Sequence, residues 1–359
     1  MYFEGKIMNL ENLENFLKDN NQPKFRLEQI KKAVYEDGVS SFLEISTISK
    51  DLRELLNKEM KILSFEVEKV LVSKDKLSIK ALLELSDGSY IETVLLSPRP
   101  NTYTACISSQ VGCPLGCAFC ATGKNGLKRN LTTEEITDQI LFWKQYLAAH
   151  SLKLESRKVD NVVYMGMGEP FLNWEEVKKS AEDLINPKLF NFGSRSISIS
   201  TVGVKNGIKK FLAEFPQVNL AISLHFANDE MRSRFMPSNK AYNSEDIKKD
   251  LGEYFKKSKR KVFIEYIMFE GLNDSLKDAW ELAGYLKSIG NFYLLHVNLI
   301  SYNSVNSEQG TKNSNIFSPS SKNKILKFRN YLLQNKINAT IRKSLGQEIA
   351  GACGQLAGK

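Results

Sequence analysis

From about residue 102 onward, strand-length apolar segments alternate with helix-length amphipathic ones, and no other feature of this 359-residue chain restricts its fold as much. "TACISS", "DNVVYMG", "SISISTV", "VNLAISL", "KVFIEYIM", "YLLHVNLIS" and "NATIR" have strand character. Between them lie helical runs, from "TTEEITDQILFWKQYLAAH", with Thr132 or Thr133 as N-cap, to "SKNKILKFRNYLLQNK". Strands separated by helices pair in parallel. Six strand–helix units in succession predict an α/β fold, an open or closed (β/α) barrel. In such barrels the chemistry gathers at the C-terminal ends of the strands. The cysteine-rich "CISSQVGCPLGCAFC", "GMGE", Ser200, "SLH" and "SYN" all fall there.

The first 98 residues read differently. "NLENFLKDN", "RLEQIKKAVYEDG" and "SKDLRELLNKEM" repeat apolar residues at helical spacing. "ILSFEVEKVLVS", "KLSIKALLEL" and "GSYIETVLLS" then alternate with a period of two. The chain accordingly divides into an N-terminal helical region (1–61), an antiparallel β segment (62–98), the barrel (99–346) and a tail (347–359). "SYNSVNSEQGTKNSN" reads as a polar, mobile linker. No run has signal-peptide or membrane-spanning length, so a cytoplasmic protein is expected, with Met1 or Met8 as its start.

The net charge of +9 is uneven. Residues 1–98 carry 14 Lys and Arg against 17 Asp and Glu, whereas the remainder carries 36 against 24. The basic surplus suits a polyanionic partner, nucleic acid above all. With only three histidines (His150, His225, His296), a histidine-rich metal site is excluded.

Four of the five cysteines fall between residues 106 and 120. In a reducing compartment such clustering points to metal or catalysis. Cys113, Cys117 and Cys120 have the spacing C-x3-C-x2-C, which suits three irons of a [4Fe–4S] cluster and leaves the fourth open. Gly112, Pro114 and Gly116 suit a tight wrap. A structural zinc site would need a fourth ligand, which Cys106 could supply only at an unusual spacing. A chance group of buried cysteines is the bland alternative.

The run "CISSQVGCPLGCAFCATGKNGLKRNLT", followed in order by "GMGEP", "SISTVGV", "SLH", "LISYN" and "ACGQL", resembles the RlmN/Cfr ribosomal RNA methyltransferases of the radical S-adenosylmethionine (SAM) enzymes. The resemblance covers about residues 10–357. It implies a radical SAM partial (β/α)6 barrel with an N-terminal helical accessory domain, one [4Fe–4S] cluster on Cys113, Cys117 and Cys120, and SAM at the open iron. It further implies that Gly168, Glu169, Ser200, Ser223, Leu224, His225 and Asn303 contact SAM. Cys353 would accept a methyl group, Glu92 would accept the adenine ring proton, and Cys106 would resolve a methylene-bridged protein–RNA intermediate through a transient disulfide with Cys353. Taken singly, His225 reads as a core histidine, Glu92 as a solvent-facing strand residue and Cys353 as an incidental tail cysteine.

The expected partners are 23S rRNA, tRNA as a second substrate, and a flavodoxin or ferredoxin as electron donor, with the enzyme a monomer. "KNGLKRN", "KKSKRK" and "IRKS" are candidates for RNA backbone contact. "GMGEP" favours C2 of adenine as the methylated atom, with C8 the alternative. A zinc-stabilised RNA-binding protein without catalysis is the alternative from another class.

Overall fold

The structure, a computed structural model, describes residues 5–150, 158–305 and 316–358. Most of the "SYNSVNSEQGTKNSN" linker and the Met1 start lie outside the described residues. The organising element is one ten-stranded sheet. Its strands are Phe65–Val72, Ser78–Leu85, Tyr90–Arg99, Thr102–Cys106, Asn161–Tyr164, Ile197–Thr201, Asn219–Ser223, Val262–Met268, Leu295–Ser301 and Asn338–Arg342. They stand side by side in chain order. The seven strands from Thr102–Cys106 onward pair in parallel, with a helix after each of the first six. Among the described residues the two edge strands do not pair, so the barrel is open.

The antiparallel segment belongs to this same sheet. Strand Tyr90–Arg99 pairs with Thr102–Cys106, with Val94 opposite Cys106. This register continues the parallel sheet into the hairpins. It also sets the site: Glu92 and Val94 share a sheet face because side chains alternate, and Cys106 faces Val94. The strand therefore brings Glu92 to the face that carries Cys106.

Helix Thr133–His150 shows how the N-terminal region attaches. Thr132 caps it reciprocally: the Thr132 hydroxyl accepts from Glu135 N–H at 3.2 Å, and the Glu135 carboxylate accepts from Thr132 N–H at 3.0 Å. Buried residues run around this helix, including Trp143, Gln139 and Asp138. A helix buried on several faces needs cover beyond the sheet, and the N-terminal region contacts it through Asn9, Tyr35, Val39 and Ser64. Gln145 donates to the Val39 carbonyl at 2.9 Å, and Ser64 N–H donates to Asp138 at 2.8 Å. One apolar core runs from Met8 through Trp143 to Leu356.

A second apolar cluster lies beneath the cysteine loop. Phe119, Phe226, Phe235, Met236, Phe269 and Tyr302 form it together with Cys117. Phe226 and Phe269 stack with ring centroids 5.6 Å apart. Among the described residues no helix is long and apolar enough to cross a membrane.

Candidate active site

The cysteine loop is pinned at its base by a short ribbon, Gln110–Gly112 against Leu127–Asn130, a pairing that periodicity did not reveal. Cys113 N–H donates to the Gly126 carbonyl at 2.8 Å. Gly112 has φ +77, and a Cβ there would lie 1.9 Å from the Gly126 oxygen. Only glycine permits that approach. Farther along the loop, Ala118 N–H donates to the Phe235 carbonyl at 2.9 Å. Phe119 meets the His225 ring edge-on at 5.2 Å, which ties the loop to the strand ends.

Cys113, Cys117 and Cys120 are free thiols within electrostatic reach of one another. Burial pushes Cys113 up to about 12 and raises Cys117 as well. Among the described residues no three His, Cys, Asp or Glu side chains converge tightly enough to cage a single ion. Two buried thiols and one half-buried, Cys120, on a glycine-hinged loop fit a bulkier cationic group, which would make them thiolates. Arg232, fully buried, stands behind them. Its Nε donates to the Leu224 carbonyl at 3.2 Å and one terminal nitrogen to the Val202 carbonyl at 2.6 Å. Sequence reasoning missed Arg232, since neither of the two arginines in "NDEMRSRF" carries a signal of its own.

The residues expected to contact SAM line the strand ends beside this loop. Gly168 has φ +97, and a Cβ would strike Gln110 at 2.6 Å. Glu169 is buried; one carboxylate oxygen accepts from Phe171 N–H at 3.1 Å and the other from Val202 N–H at 3.0 Å. Desolvation pushes it up to about 7. Ser200 and Ser223 hydroxyls meet at 3.1 Å. Strand Asn219–Ser223 stops before Leu224, and His225 takes a left-handed turn with φ +58. Its Nδ1 accepts from Ile267 N–H at 3.3 Å, so the proton of the neutral ring sits on Nε2. Burial and then Arg232 pull this imidazole down to about 3. Asn303 Nδ2 donates to the Cys353 carbonyl at 3.2 Å, and its Oδ1 accepts from Gln347 at 2.6 Å. The residue expected at SAM therefore also holds the tail.

Cys353 keeps an accessible edge yet lies deep enough for desolvation to raise its thiol, with Glu265 adding to the shift. It is within electrostatic reach of Cys106, whose thiol burial raises steeply. No disulfide joins them. Glu92 is buried, contrary to its solvent-facing reading, and forms an ion pair with Lys80 at 2.6 Å. Glu265, another buried carboxylate, accepts from Asn298 at 2.8 Å. Neither Lys80 nor Glu265 was singled out by sequence, because both sit in ordinary strand alternation.

The basic segments separate. Within "KNGLKRN", Arg129 is spent internally: it pairs with Asp87 at 2.6 Å and with both oxygens of Glu135 at 2.7 and 2.8 Å. Its hydrogen bond pulls Asp87 down to about 2. Lys124 and Lys128 remain exposed. "KKSKRK" precedes the interior strand Val262–Met268 and so lies at the N-terminal end of the parallel strands, opposite the site. Arg342 and Lys343 of "IRKS" are exposed at the site edge, at the end of the last strand.

Comparison with known proteins agrees with this arrangement. Residues 107–283 match the radical SAM superfamily, and residues 7–62 match the ribosomal RNA large subunit methyltransferase N-terminal domain. A ribosomal RNA large subunit methyltransferase Cfr from Bacillus velezensis is 40% identical over 349 residues, 96% of this chain and 95% of that protein. A probable dual-specificity RNA methyltransferase RlmN from Staphylococcus aureus is 40% identical over 352 residues, 98% of this chain and 92% of that protein. The crystal structure of a radical SAM methyltransferase from Sphaerobacter thermophilus superposes with TM-score 0.87 at 35% identity, covering 100% of both chains. With the thiol loop, the strand-end residues and the tail cysteine in place, this chain belongs to the RlmN/Cfr family of radical SAM RNA methyltransferases.

Proposed function

We propose that this protein methylates C2 of an adenine in 23S rRNA, with an adenine of tRNA as a second substrate, in the cytoplasm. The observation that carries the reading is the gathering of Glu92, Cys106 and Cys353 at one end of the sheet, beside the thiol loop. Adenine C2 is electron-poor and does not attack an alkyl donor, so the methyl group needs a detour. A [4Fe–4S] cluster on Cys113, Cys117 and Cys120 with SAM beside it supplies, when bound, the 5′-deoxyadenosyl radical; a flavodoxin or ferredoxin supplies the electron. Gly168, Glu169, Ser200, Ser223, Leu224, His225 and Asn303 form the SAM surface.

The remaining steps belong to the chain. Cys353 attacks the methyl group of a first SAM as a thiolate, giving S-methylcysteine. Hydrogen removal from its S-methyl group leaves a carbon radical that adds to the adenine ring, and the adduct returns one electron to the redox system that supplied one. Glu92 takes the ring proton. Cys106 then attacks the Cys353 sulfur; the sulfur–carbon bond breaks, the departing carbon keeps the electron pair and takes up a proton to become the methyl group, and a Cys106–Cys353 disulfide remains for external reduction. His225, neutral and fixed with a proton on Nε2, serves as a hydrogen-bond donor.

Methylation at C8 is the second reading, favoured by identity to a Cfr enzyme equal to that with RlmN, 40% in each case. Nucleoside mass spectrometry of 23S rRNA and tRNA from a methylation-null host expressing this chain separates them. 2-Methyladenosine is expected; 8-methyladenosine would assign the other reading, and neither would remove both.

A further inference from the structure

The tail reaches the strand that carries Glu92 through contacts that neither motif announces. Both carboxylate oxygens of Glu92 are taken. Lys80 Nζ donates to Oε1 at 2.6 Å. Ala357 N–H donates to Oε2 at 2.8 Å, and Gly358 N–H reaches the same oxygen at 3.4 Å. Lys80 Nζ also donates to the Ala350 carbonyl at 3.2 Å. The side chains of Lys80 and Glu92 are only 10% and 7% exposed, so water does not take the place of these donors. Lys80 faces Val94 across the hairpin, which makes it the diagonal neighbour of Glu92 on the same face. A buried ion pair is tolerated when its remaining hydrogen bonds are met, and here the tail meets them.

The tail is built to lie there. Thr122 Oγ1 donates to the Leu356 carbonyl at 2.5 Å, Asn125 to the Ala357 carbonyl at 2.8 Å, and Ala121 N–H to the Gly354 carbonyl at 2.8 Å. Gly358 has φ +70, and a Cβ would stand 2.8 Å from the Tyr90 carbonyl oxygen. Any other residue there would push the tail off the Glu92 strand.

We propose that the C-terminal tail gates the proton acceptor: Lys80 and the Ala357 and Gly358 amides close both oxygens of Glu92 at rest, and Glu92 receives a proton only after the tail carrying Cys353 shifts. The inference rests on reading Glu92 as the acceptor. Oε2 faces two N–H donors of the tail and Oε1 faces the Lys80 ammonium, so an adenine C–H reaches Oε2 only where the tail amides have left it. Cys353 and the two capping amides belong to one short segment, so moving the thiol toward RNA withdraws the cap. Lys80, anchored on Oε1, is a positioning residue that holds the carboxylate in place while Oε2 opens.

Two measurements on the reconstituted full-length enzyme read the gate directly. Amide hydrogen exchange should show Ala357 and Gly358 protected at rest and released when 23S rRNA from a methylation-null host is added. Carbodiimide coupling should label Glu92 only weakly in the parent. It should label Glu92 about fivefold or more in Gly358→Val, and in a chain ending at Leu356, because a hydrogen-bonded cap is lost in each. Lys80→Met should lose the tail protection and Lys80→Arg should restore it. Unprotected tail amides at rest, or equal labelling in parent and variants, would overturn the gate; retained protection in Lys80→Met would remove Lys80 from it. These readouts do not depend on what Glu92 does. Unimpaired RNA methylation by Glu92→Gln would instead defeat the acceptor reading while leaving the cap in place.

Discussion

At the scale of single residues, Glu169 shows how far a function is tied to packing. Its two oxygens accept from two backbone amides on different segments, Phe171 and Val202. Glu169→Gln can accept through one atom only, and its NH2 must then face an N–H donor. The expected cost is about 1–3 kcal/mol, the penalty of a buried unsatisfied donor. Denaturant unfolding of the apo-protein should register it, and SAM titration should show weaker binding. His225 offers a contrast. Its left-handed backbone and its bond from Ile267 fix the ring, so its place at the end of "SLH" is set by turn geometry as well as by chemistry. The sequence motif made His225 visible, but not its tautomer, which depends on an amide 42 residues away.

At the scale of elements, the ribbon below the thiol loop and the interface of the N-terminal helices each make a prediction. Gly112→Ala puts a methyl group where the Gly126 carbonyl stands. The global fold should survive by circular dichroism, while the Gln110–Gly112 pairing breaks and the protein fails to retain iron–sulfur absorbance on anaerobic reconstitution. Full cluster loading in Gly112→Ala would show that the ribbon does not shape the loop. Asp138 governs pH dependence at the other interface. Burial pushes this carboxyl from 3.8 up to about 8, although Ser64 N–H lowers it somewhat. The native state thus keeps a proton that the unfolded chain releases, and stability falls as pH rises between those values. Asp138→Asn removes the titration while keeping an acceptor for Ser64. Its melting temperature should exceed that of the parent at pH 8 and approach it toward pH 4, as a pH series of thermal melts would measure.

These elements also mark what could be read beforehand. The strand–helix alternation was legible because burial on a sheet and on a helix imposes distinct periods. Lys80 was not, because period two says which face a residue takes and nothing about what comes to lie on that face. The tail contacts with Glu92 link residues 265 and 266 positions apart. Arg129 looked free for RNA within "KNGLKRN" because its partners Asp87 and Glu135 lie on other elements. The place of "KKSKRK" was not legible either: it enters a strand whose opposite end faces the site.

At the scale of the whole molecule, charge and covalent chemistry meet the RNA. The excess of Lys and Arg after residue 98 predicts phosphate contact, and Lys124, Lys128, Arg342 and Lys343 are exposed on segments near the site edge. Binding to 23S rRNA fragments should weaken steeply with salt as counterions are released. Filter binding across a salt series tests this, and a flat response would place the RNA elsewhere. The most direct test of the account as a whole uses the two remote thiols. Cys106→Ala, reconstituted with iron and sulfide and given SAM, reductant and 23S rRNA, should stall with RNA covalently attached. The adduct should persist in denaturing gels, vanish on RNase treatment and leave a mass increment on the peptide containing Cys353. Cys353→Ala and the double variant should form none. The absence of an adduct in Cys106→Ala, or its presence in the double variant, would contradict the two-thiol route.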